Sequence, residues 1–344
     1  MTRDPLDTVV IGYGHAARSF HVPAIADLVA QGYASGALTV VESREPVDTT
    51  GLPLDAIVRS DLPRARKPDG CVVHVCTPPD SHAEIVFAAY RLGYRRFVVE
   101  KPMATDPADA RRMVDLCESG GAEILVVANW SVSALTEEIR RMIGERCGVP
   151  LEELVLTQFK PRLERTAGSD AHRTAFDVEM PHLVALALSL VDGPMELVDS
   201  SGSDLEIDGT SYPAMGSATI TLRTGDGVPL RLHSDLTAPW RERSVRVEWA
   251  DGSRLVGFHP CDSSDRYAQL FTWAADGTRQ PRRLFHDDTV RRFLRGAYSY
   301  FLGVGPKLLS DAHFGSAVTS IISTAAAQAR QSDTDHAEGN RGRL

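Results

Sequence analysis

The sequence has no apolar run long enough to cross a bilayer: the longest, LVALALSLV at Leu183–Val191, is far short of the roughly 20 residues a spanning helix needs. Its N-terminus, MTRDPLDTVV, lacks the apolar core of a secretory signal, so the chain is expected to be soluble and cytoplasmic with no membrane partner. The five cysteines, Cys71, Cys76, Cys117, Cys147 and Cys261, are odd in number and form no C-x-x-C pair. A disulfide framework or zinc knuckle is therefore not expected; buried thiols in a reducing cytosol are. Basic residues are outnumbered, 37 against 46 acidic, for a net charge of −9, which argues against a mainly nucleic-acid-binding chain. There is no H-E-x-x-H, no calcium loop and no Cys/His cluster, so no metal is expected, and neither a P-loop nor G-x-S-x-G occurs. No internal repeat or low-complexity tract is present.

What is present in 344 residues has the length of two domains. Short apolar runs, TVVIG (Thr8–Gly12), LTVVES (Leu38–Ser43), CVVHVCTP (Cys71–Pro78), RFVVEKP (Arg96–Pro102) and EILVVAN (Glu123–Asn129), alternate with helical patterns such as SHAEIVFAAYRLG and DPADARRMVDLCESGG. Strands that are apolar and β-branched on both faces require a parallel sheet covered by helices. This predicts an α/β doubly wound Rossmann domain over residues 1–128. After one more helix, at 131–148, strands follow without intervening helices, with turn signals at Gly225–Gly227 and Asp251–Gly252. An α+β domain on a large open antiparallel sheet is expected over residues 129–330. It is interrupted by a helix at His182–Leu190 and followed by helical stretches at 288–302 and 312–330, then a polar, frayed tail at 331–344.

After the first strand stands GYGHAA, the G-x-G-x-x-A form of the dinucleotide fingerprint. Gly12 permits the tight turn, Gly14 lets the backbone approach a pyrophosphate, and Ala17 allows close helix packing. His15 and Ala16 open the helix whose free N–H groups would hold the phosphates. Glu42, at the end of the second strand, suits the adenosine ribose hydroxyls, whereas Arg44 suits a 2′-phosphate. NAD or NADP is expected, and Glu42, which would repel a phosphate, favours NAD.

The motifs VVIGYGHAARSFHVPAI, VCTPPDSH and EKPMA, in that order, resemble the Gfo/Idh/MocA family of oxidoreductases, the glucose-fructose oxidoreductase and inositol dehydrogenase group. The resemblance implies that Lys101 lies beside the nicotinamide and the reacting oxygen, aimed by a typically cis Lys101–Pro102 bond, with Glu100 of the same motif at the cofactor. It also implies that Thr77 and Pro78, with His82 behind them, cover the cofactor, that Asn129 lies near the nicotinamide, and that the chain pairs through its open sheet into a homodimer or homotetramer. Around Trp240, Arg241 and Arg243 a sheet anchor and a subunit contact are both open readings, and His21 reads as a packing or cleft-edge residue.

Alcohol oxidation needs a group that takes the hydroxyl proton, and histidine suits this near neutral pH. The family motif points to His182. The acid usually found four residues earlier is replaced by Val178. Glu179, three before, shares a helix face with His182, and Asp177, five before, reads as an N-cap. Arg162, Arg165, His172 and Arg173 are candidate contacts for an anionic or polyhydroxylated small-molecule substrate. The expected function is NAD(P)-dependent oxidation or reduction at a carbinol carbon of a sugar, cyclitol or related polyol. Reduction of a C=N or C=C bond is the alternative, and a non-catalytic dinucleotide- or sugar-sensing regulator is a third reading.

Overall fold

The computed structural model describes residues 4–44, 47–53, 55–65, 68–146, 148–168, 173–262 and 265–341, with side chains up to residue 331. Cys147 and His172 lie outside the described residues. Two compact units emerge, Met1–Asn129 with Asp288–Thr319, and Trp130–Asp287 with Ser320–Leu344.

The first unit is built on six strands: β1 (Leu6–Ile11), β2 (Ala34–Val41), β3 (Ile57–Arg59), β4 (Cys71–Val75), β5 (Arg96–Val99) and β6 (Glu123–Val126). All pair in parallel, in the order β3-β2-β1-β4-β5-β6. Successive side chains of β1 serve opposite faces. Val9 and Ile11 pack with Val73, Val75, Phe97 and Val99 beneath the helices α2 (His82–Arg91) and α3 (Pro107–Gly120). Val10 packs with Val40 against Ala17, Val22 and Ile25 on the other face. Each such aliphatic burial is worth about 1.5–3 kcal/mol. The strand order reverses between β1 and β4, which opens a crevice at their carboxyl ends. The edge strand β3 has only three residues, Ile57, Val58 and Arg59, all exposed, so it is too short for sequence periodicity to find.

The helix that follows the glycine loop is not regular. A π turn spans Ala17–His21, and the Val22 N–H bonds back to the Ala17 carbonyl before α1 (Val22–Ala30) begins. Pro23 explains it: proline has no N–H to donate and its ring crowds the carbonyl four residues earlier, so the preceding turn widens. That turn buries His21 completely.

The second unit starts with α4 (Ala134–Glu145), whose first turn is capped by Ser133 from within and by Asp287 from afar, through the Ala134 N–H. Then come β7 (Leu151–Phe159), α5 (Leu163–Ala167), α6 (Ala175–Val178) and α7 (Met180–Leu190). The remaining strands are β8 (Met195–Ile207), β9 (Thr210–Thr224), β10 (Pro229–Asp235), β11 (Glu242–Trp249), β12 (Arg254–Phe258), β13 (Tyr267–Trp273) and β14 (Arg283–His286). They form one sheet with β7, in the order β14-β13-β12-β11-β7-β10-β9-β8. The sheet is antiparallel, as expected, except where β7 and β10 pair in parallel at its centre. Helices α5 to α7 follow β7, so no hairpin ties it to the next strand and it is free to insert between β10 and β11. Gly227 and Gly252 have positive φ, 95° and 81°, at the hairpin turns read from the sequence.

Asp288–Thr319, comprising α8 (Thr289–Phe301) and the start of α9 (Ala312–Arg341), belongs to the first unit, which interrupts the continuous second domain expected from the sequence. Helix α9 also continues through the stretch read as a frayed tail, to Arg341: its alanine-rich sequence contains no proline to stop it. Among the described residues no helix is long and apolar enough to cross a membrane, and no cluster of three or more His, Cys, Asp or Glu could hold a metal ion.

Candidate active site

Gly12 ends β1 with φ 84°, and a Cβ there would stand 2.7 Å from Thr77 Cγ2 and 3.0 Å from the Cys76 carbonyl. Only glycine allows β1 to turn this close to the loop after β4. At Gly14 a Cβ would meet no protein atom within 4 Å, so its backbone faces open space. The helix begins at the exposed His15 and the half-buried Ala16. Across from this loop the Glu42 carboxylate accepts hydrogen bonds from the Tyr13 N–H (2.9 Å) and the Arg44 N–H (3.0 Å). Burial works to raise the Glu42 pKa, but these N–H groups and the Arg44 guanidinium outweigh it and hold the carboxyl below its ordinary value. Arg44 Nε lies 3.3 Å from Glu42, and the arginine side chain is 77% exposed. An open glycine backbone at a helix start with an acid at the end of β2 fits a dinucleotide: Gly12, Gly14, His15 and Ala16 for the pyrophosphate, Glu42 for the ribose.

The loop after β4 carries Thr77, Pro78 and His82. Ser81 Oγ donates to Thr77 Oγ1 at 2.8 Å, and Pro78 is exposed. His82 is fully buried, with Nδ1 3.0 Å from the Pro102 carbonyl and Nε2 2.9 Å from the Thr77 carbonyl. Its ring ties the loop after β4 to the loop after β5, and burial lowers its pKa. The Lys101–Pro102 peptide is cis. The Glu100 N–H bonds the Val75 carbonyl (3.0 Å), and Glu100 Oε2 accepts the Lys101 N–H at 3.3 Å. Asn129, after β6, is buried and donates from Nδ2 to Thr289 Oγ1 at 2.8 Å.

Behind Glu100 the structure assembles a buried polar chain that the sequence reading missed. Glu100 Oε1 lies 2.8 Å from His21 Nε2, His21 Nδ1 lies 2.8 Å from His74 Nδ1, His74 Nε2 lies 3.0 Å from the Tyr298 hydroxyl, and that hydroxyl lies 2.7 Å from Thr8 Oγ1. The available signal was His74 itself: a polar ring inside CVVHV, a strand buried on both faces, needs partners.

In the second unit Glu179 is 1% exposed, and its carboxylate accepts from Gln158 Nε2 and Lys160 Nζ. The His182 N–H donates to the Glu179 carbonyl at 3.0 Å, and Pro181 occupies the first turn of α7. His182 borders a small cavity of about 10 Å³ together with Thr157, Gln158 and Arg243. Asp177 is not the N-cap of this helix. It is the third residue of α6, where it accepts from the Thr174 N–H at 2.9 Å in a capping box. The cause is a break between helices: α6 ends at Val178, and α7 starts anew at Met180. Arg162 is buried with no hydrogen-bond partner for Nε; burial first, then the nearby Arg165 charge, lowers its pKa, while Glu179 acts the other way. Arg173 is exposed and its N–H bonds Asp177.

Residues 6–128 match the family model described as "Oxidoreductase family, NAD-binding Rossmann fold". The uncharacterised oxidoreductase YdgJ of Escherichia coli (strain K12) is 27% identical over 199 residues, a match that spans 56% of this chain and 56% of that protein. Among solved structures, a variant of the 3-ketoreductase KijD10 from Actinomadura kijaniata, in complex with TDP-benzene and NADP, is 15% identical, with a TM-score of 0.76 over 94% of this chain and 98% of that one. The WlbA dehydrogenase from Bordetella pertussis, with NADH and UDP-GlcNAcA, is 18% identical, with a TM-score of 0.72 over 95% and 97%. A levoglucosan dehydrogenase, with NADH and levoglucosan, is 17% identical, with a TM-score of 0.75 over 95% and 98%. At these identities the structural likeness establishes the fold. The matched residues, 6–128, are thus similar to the NAD-binding Rossmann domain of an oxidoreductase family. The match to the GFO_IDH_MocA family model covers residues 6–128, about a third of the chain.

Proposed function

We propose that the protein is an NAD(P)-dependent oxidoreductase that moves a hydride between the nicotinamide and a carbinol or carbonyl carbon of a sugar, cyclitol or related polyol, with NAD favoured. The observation that carries this reading is the joint placement, at the carboxyl edge of one sheet, of the open Gly14 backbone after β1, Glu42 after β2 and Lys101 after β5. The cofactor, when bound, supplies the hydride acceptor or donor. Lys101 holds the reacting oxygen and stabilises the negative charge that develops on it. His182 exchanges the hydroxyl proton. Glu179, fixed by Gln158 and Lys160 in the turn before His182, is the acid that tunes it; Asp177 is committed to the α6 cap. Arg162, with an unsatisfied buried Nε, and Arg173 suit a substrate rich in hydroxyl or anionic oxygens. The sugar and sugar-nucleotide ligands of the similar dehydrogenases support the same substrate class.

Pairing of two or four copies through the outer face of the eight-stranded sheet is part of this reading. Phe258, Tyr267 and Leu284 are exposed on neighbouring strands there, 37%, 52% and 52% respectively. Trp240, 57% exposed, leans edge-on against Phe159, the sheet-anchor alternative for that residue.

The test is a screen of sugars, inositols and sugar acids with both NAD+ and NADP+, followed by Lys101→Ala. Turnover should fall by about 10²–10³, while NADH affinity, read by fluorescence, stays within about threefold. Near-wild-type turnover in Lys101→Ala would overturn the mechanism. NAD(P)H consumption with an imine or enone, and none with any polyol, would overturn the substrate class.

A further inference from the structure

We propose that His259 is a positioning residue for His182: one water in the cavity that both rings border donates to the bare Nε2 of His259 and accepts from His182, which fixes the His182 nitrogen left to act as base. The proposal rests on the reading of His182 as the residue that exchanges the hydroxyl proton.

Sheet register brings the residues together. Gln158 on β7 pairs with Arg243 on β11, and the His259 N–H, just past β12, donates to the Arg243 carbonyl at 2.9 Å. Residues paired across strands share a face, so Gln158, Arg243 and His259 form one row. It lies next to the buried row Leu156, Val245 and Gly257. Helix α7 brings His182, Leu183 and Leu186 over it, and Trp130 closes one side, edge-on to the His259 ring with centroids 4.9 Å apart. The Arg243 guanidinium stacks over Trp130 at 4.8 Å. The cavity of about 10 Å³ bounded by these side chains has room for one water. A buried water needs two to four polar partners, and His182, His259, Gln158 and Arg243 all border this cavity.

A line of hydrogen bonds on the far side of His259 decides its tautomer. Asp287, 4% exposed, accepts the Ala134 N–H on Oδ1 at 3.0 Å and the Ser133 hydroxyl on Oδ2. A carboxylate can only accept, so the single Ser133 hydrogen goes to Asp287. Toward His259 Nδ1, 3.2 Å away, Ser133 Oγ is then an acceptor, and the His259 proton sits on Nδ1. His259 Nε2 is left as a lone pair, in a residue 4% exposed, with no partner among the described residues. Burial and then the Arg243 charge keep the ring neutral. With Nδ1 turned to Ser133, which is not part of the cavity wall, the Nε2 edge is the one that meets the cavity. A buried acceptor without a donor is costly, and one water donating to Nε2 removes that cost.

All hydrogens then point one way: from His182 to the water, from the water to His259, from His259 to Ser133, and from Ser133 to Asp287. The His182 nitrogen on the cavity side keeps its proton. The other nitrogen is bare and takes the hydroxyl proton of the substrate, and it returns that proton in the reverse reaction. Orienting an imidazole through its second nitrogen is the service that a carboxylate performs beside a histidine base. Four residues before His182, where the resemblance leads one to expect an acid, stands Val178, and the Glu179 carboxylate bonds Gln158 and Lys160. Glu179 contributes charge near His182; Asp287, acting through Ser133, His259 and the water, contributes direction.

Two measurements test this without a known substrate. A high-resolution crystal structure should show one ordered water within hydrogen-bonding distance of both His259 Nε2 and a His182 ring nitrogen; a dry cavity overturns the proposal. Nitrogen-15 spectra of protein labelled at its 11 histidines report which nitrogen of each ring carries the proton, with His182 and His259 assigned through His182→Gln and His259→Phe. In the wild type His259 should be protonated on Nδ1, and His182 should show one tautomer. His259→Phe keeps a ring in place and removes the acceptor, so His182 should become a mixture of both tautomers. In Ser133→Ala the His259 proton should move to Nε2, and the His182 signals should shift although His259 is intact. Melting curves confirm that each variant is folded. A wild-type His259 protonated on Nε2, or a His182 tautomer unchanged in folded His259→Phe, overturns the proposal. Full turnover in His182→Gln, with a substrate from the polyol screen, would instead sink the reading of His182 as the base and leave the water and the tautomers standing.

Discussion

Gly12 and Gly14 look alike in the sequence and differ in the structure. Gly12 has no room for a side chain and has positive φ, while Gly14 has room and ordinary φ. Gly12→Ala should therefore destabilise the fold, through strain and a clash with Thr77, by about 2 kcal/mol or more. Gly14→Ala should leave the melting temperature within about 2 °C of wild type and weaken NADH binding about tenfold or more, because the added methyl fills space that only a ligand would use. Melting curves beside NADH titrations check both. Glu42 is the other single-residue determinant: removing its carboxylate in Glu42→Ala should raise NADPH affinity relative to NADH by about tenfold, measured by the same titration. Gly12, Glu42 and Lys101 stand in local motifs and could be singled out as candidates one by one. His21 and Tyr298 could not, because their place in the buried chain depends on partners 79 and 224 positions away.

At the scale of elements, the signals that worked were local. Helix α3 starts where Asp106 accepts from the Ala108 N–H and Pro107 takes the first turn, and it stops at Gly121, φ 68°. Asp106→Ala and Gly121→Ala should each cost about 1 kcal/mol of stability, read by urea denaturation. The signals that failed were those in which two local cues competed. Asp177 looks like a cap for the helix of His182, yet Thr174 makes a better start three residues earlier, and Asp177 closes its capping box instead. Pro23 marks a disturbance in the helix without saying which; the structure answers with a π turn that places His21 inward. Strand β3 is only three residues long, too short to carry a period, and pairs along its backbone with β2.

For the whole molecule, the buried imidazoles govern how stability varies with pH. His74 and His82 are lowered by burial, and His259, whose Nε2 has no hydrogen-bond partner, is lowered to about 3 by burial and then by the Arg243 charge. A base lowered in the folded state takes its proton in the unfolded state first. Its contribution is complete above about pH 6.5 and is lost as the pH falls toward its folded value, at about 1.4 kcal/mol per pH unit for each. His21, raised to about 10, contributes fully below about 6.5 and loses that contribution as the pH rises through 10. Stability measured by urea denaturation should thus peak near pH 6.5. His259→Leu should flatten the acid limb, and His21→Gln the alkaline limb.

Alternation of apolar strands and helical patterns was enough, by itself, to determine the parallel sheet, because burial on both faces leaves few other ways to write those strands. The glycine fingerprint, Glu42 and the Lys101–Pro102 pair could be singled out as candidates in the same way, since each depends on residues within one loop or at the end of one strand. Tertiary structure alone decided that α8 and the start of α9 return to the first unit, that β7 pairs in parallel with β10, and that Glu179 lies with Gln158 and Lys160. It also decided that a histidine of the first helix, one of the fourth strand and a tyrosine near the end of the chain share a line of hydrogen bonds. The physical reason is range. Propensity, capping and turn chemistry act over a few residues and leave their mark in the order of the chain. Pairing between buried polar groups is settled only when the fold brings distant strands and helices within hydrogen-bonding distance.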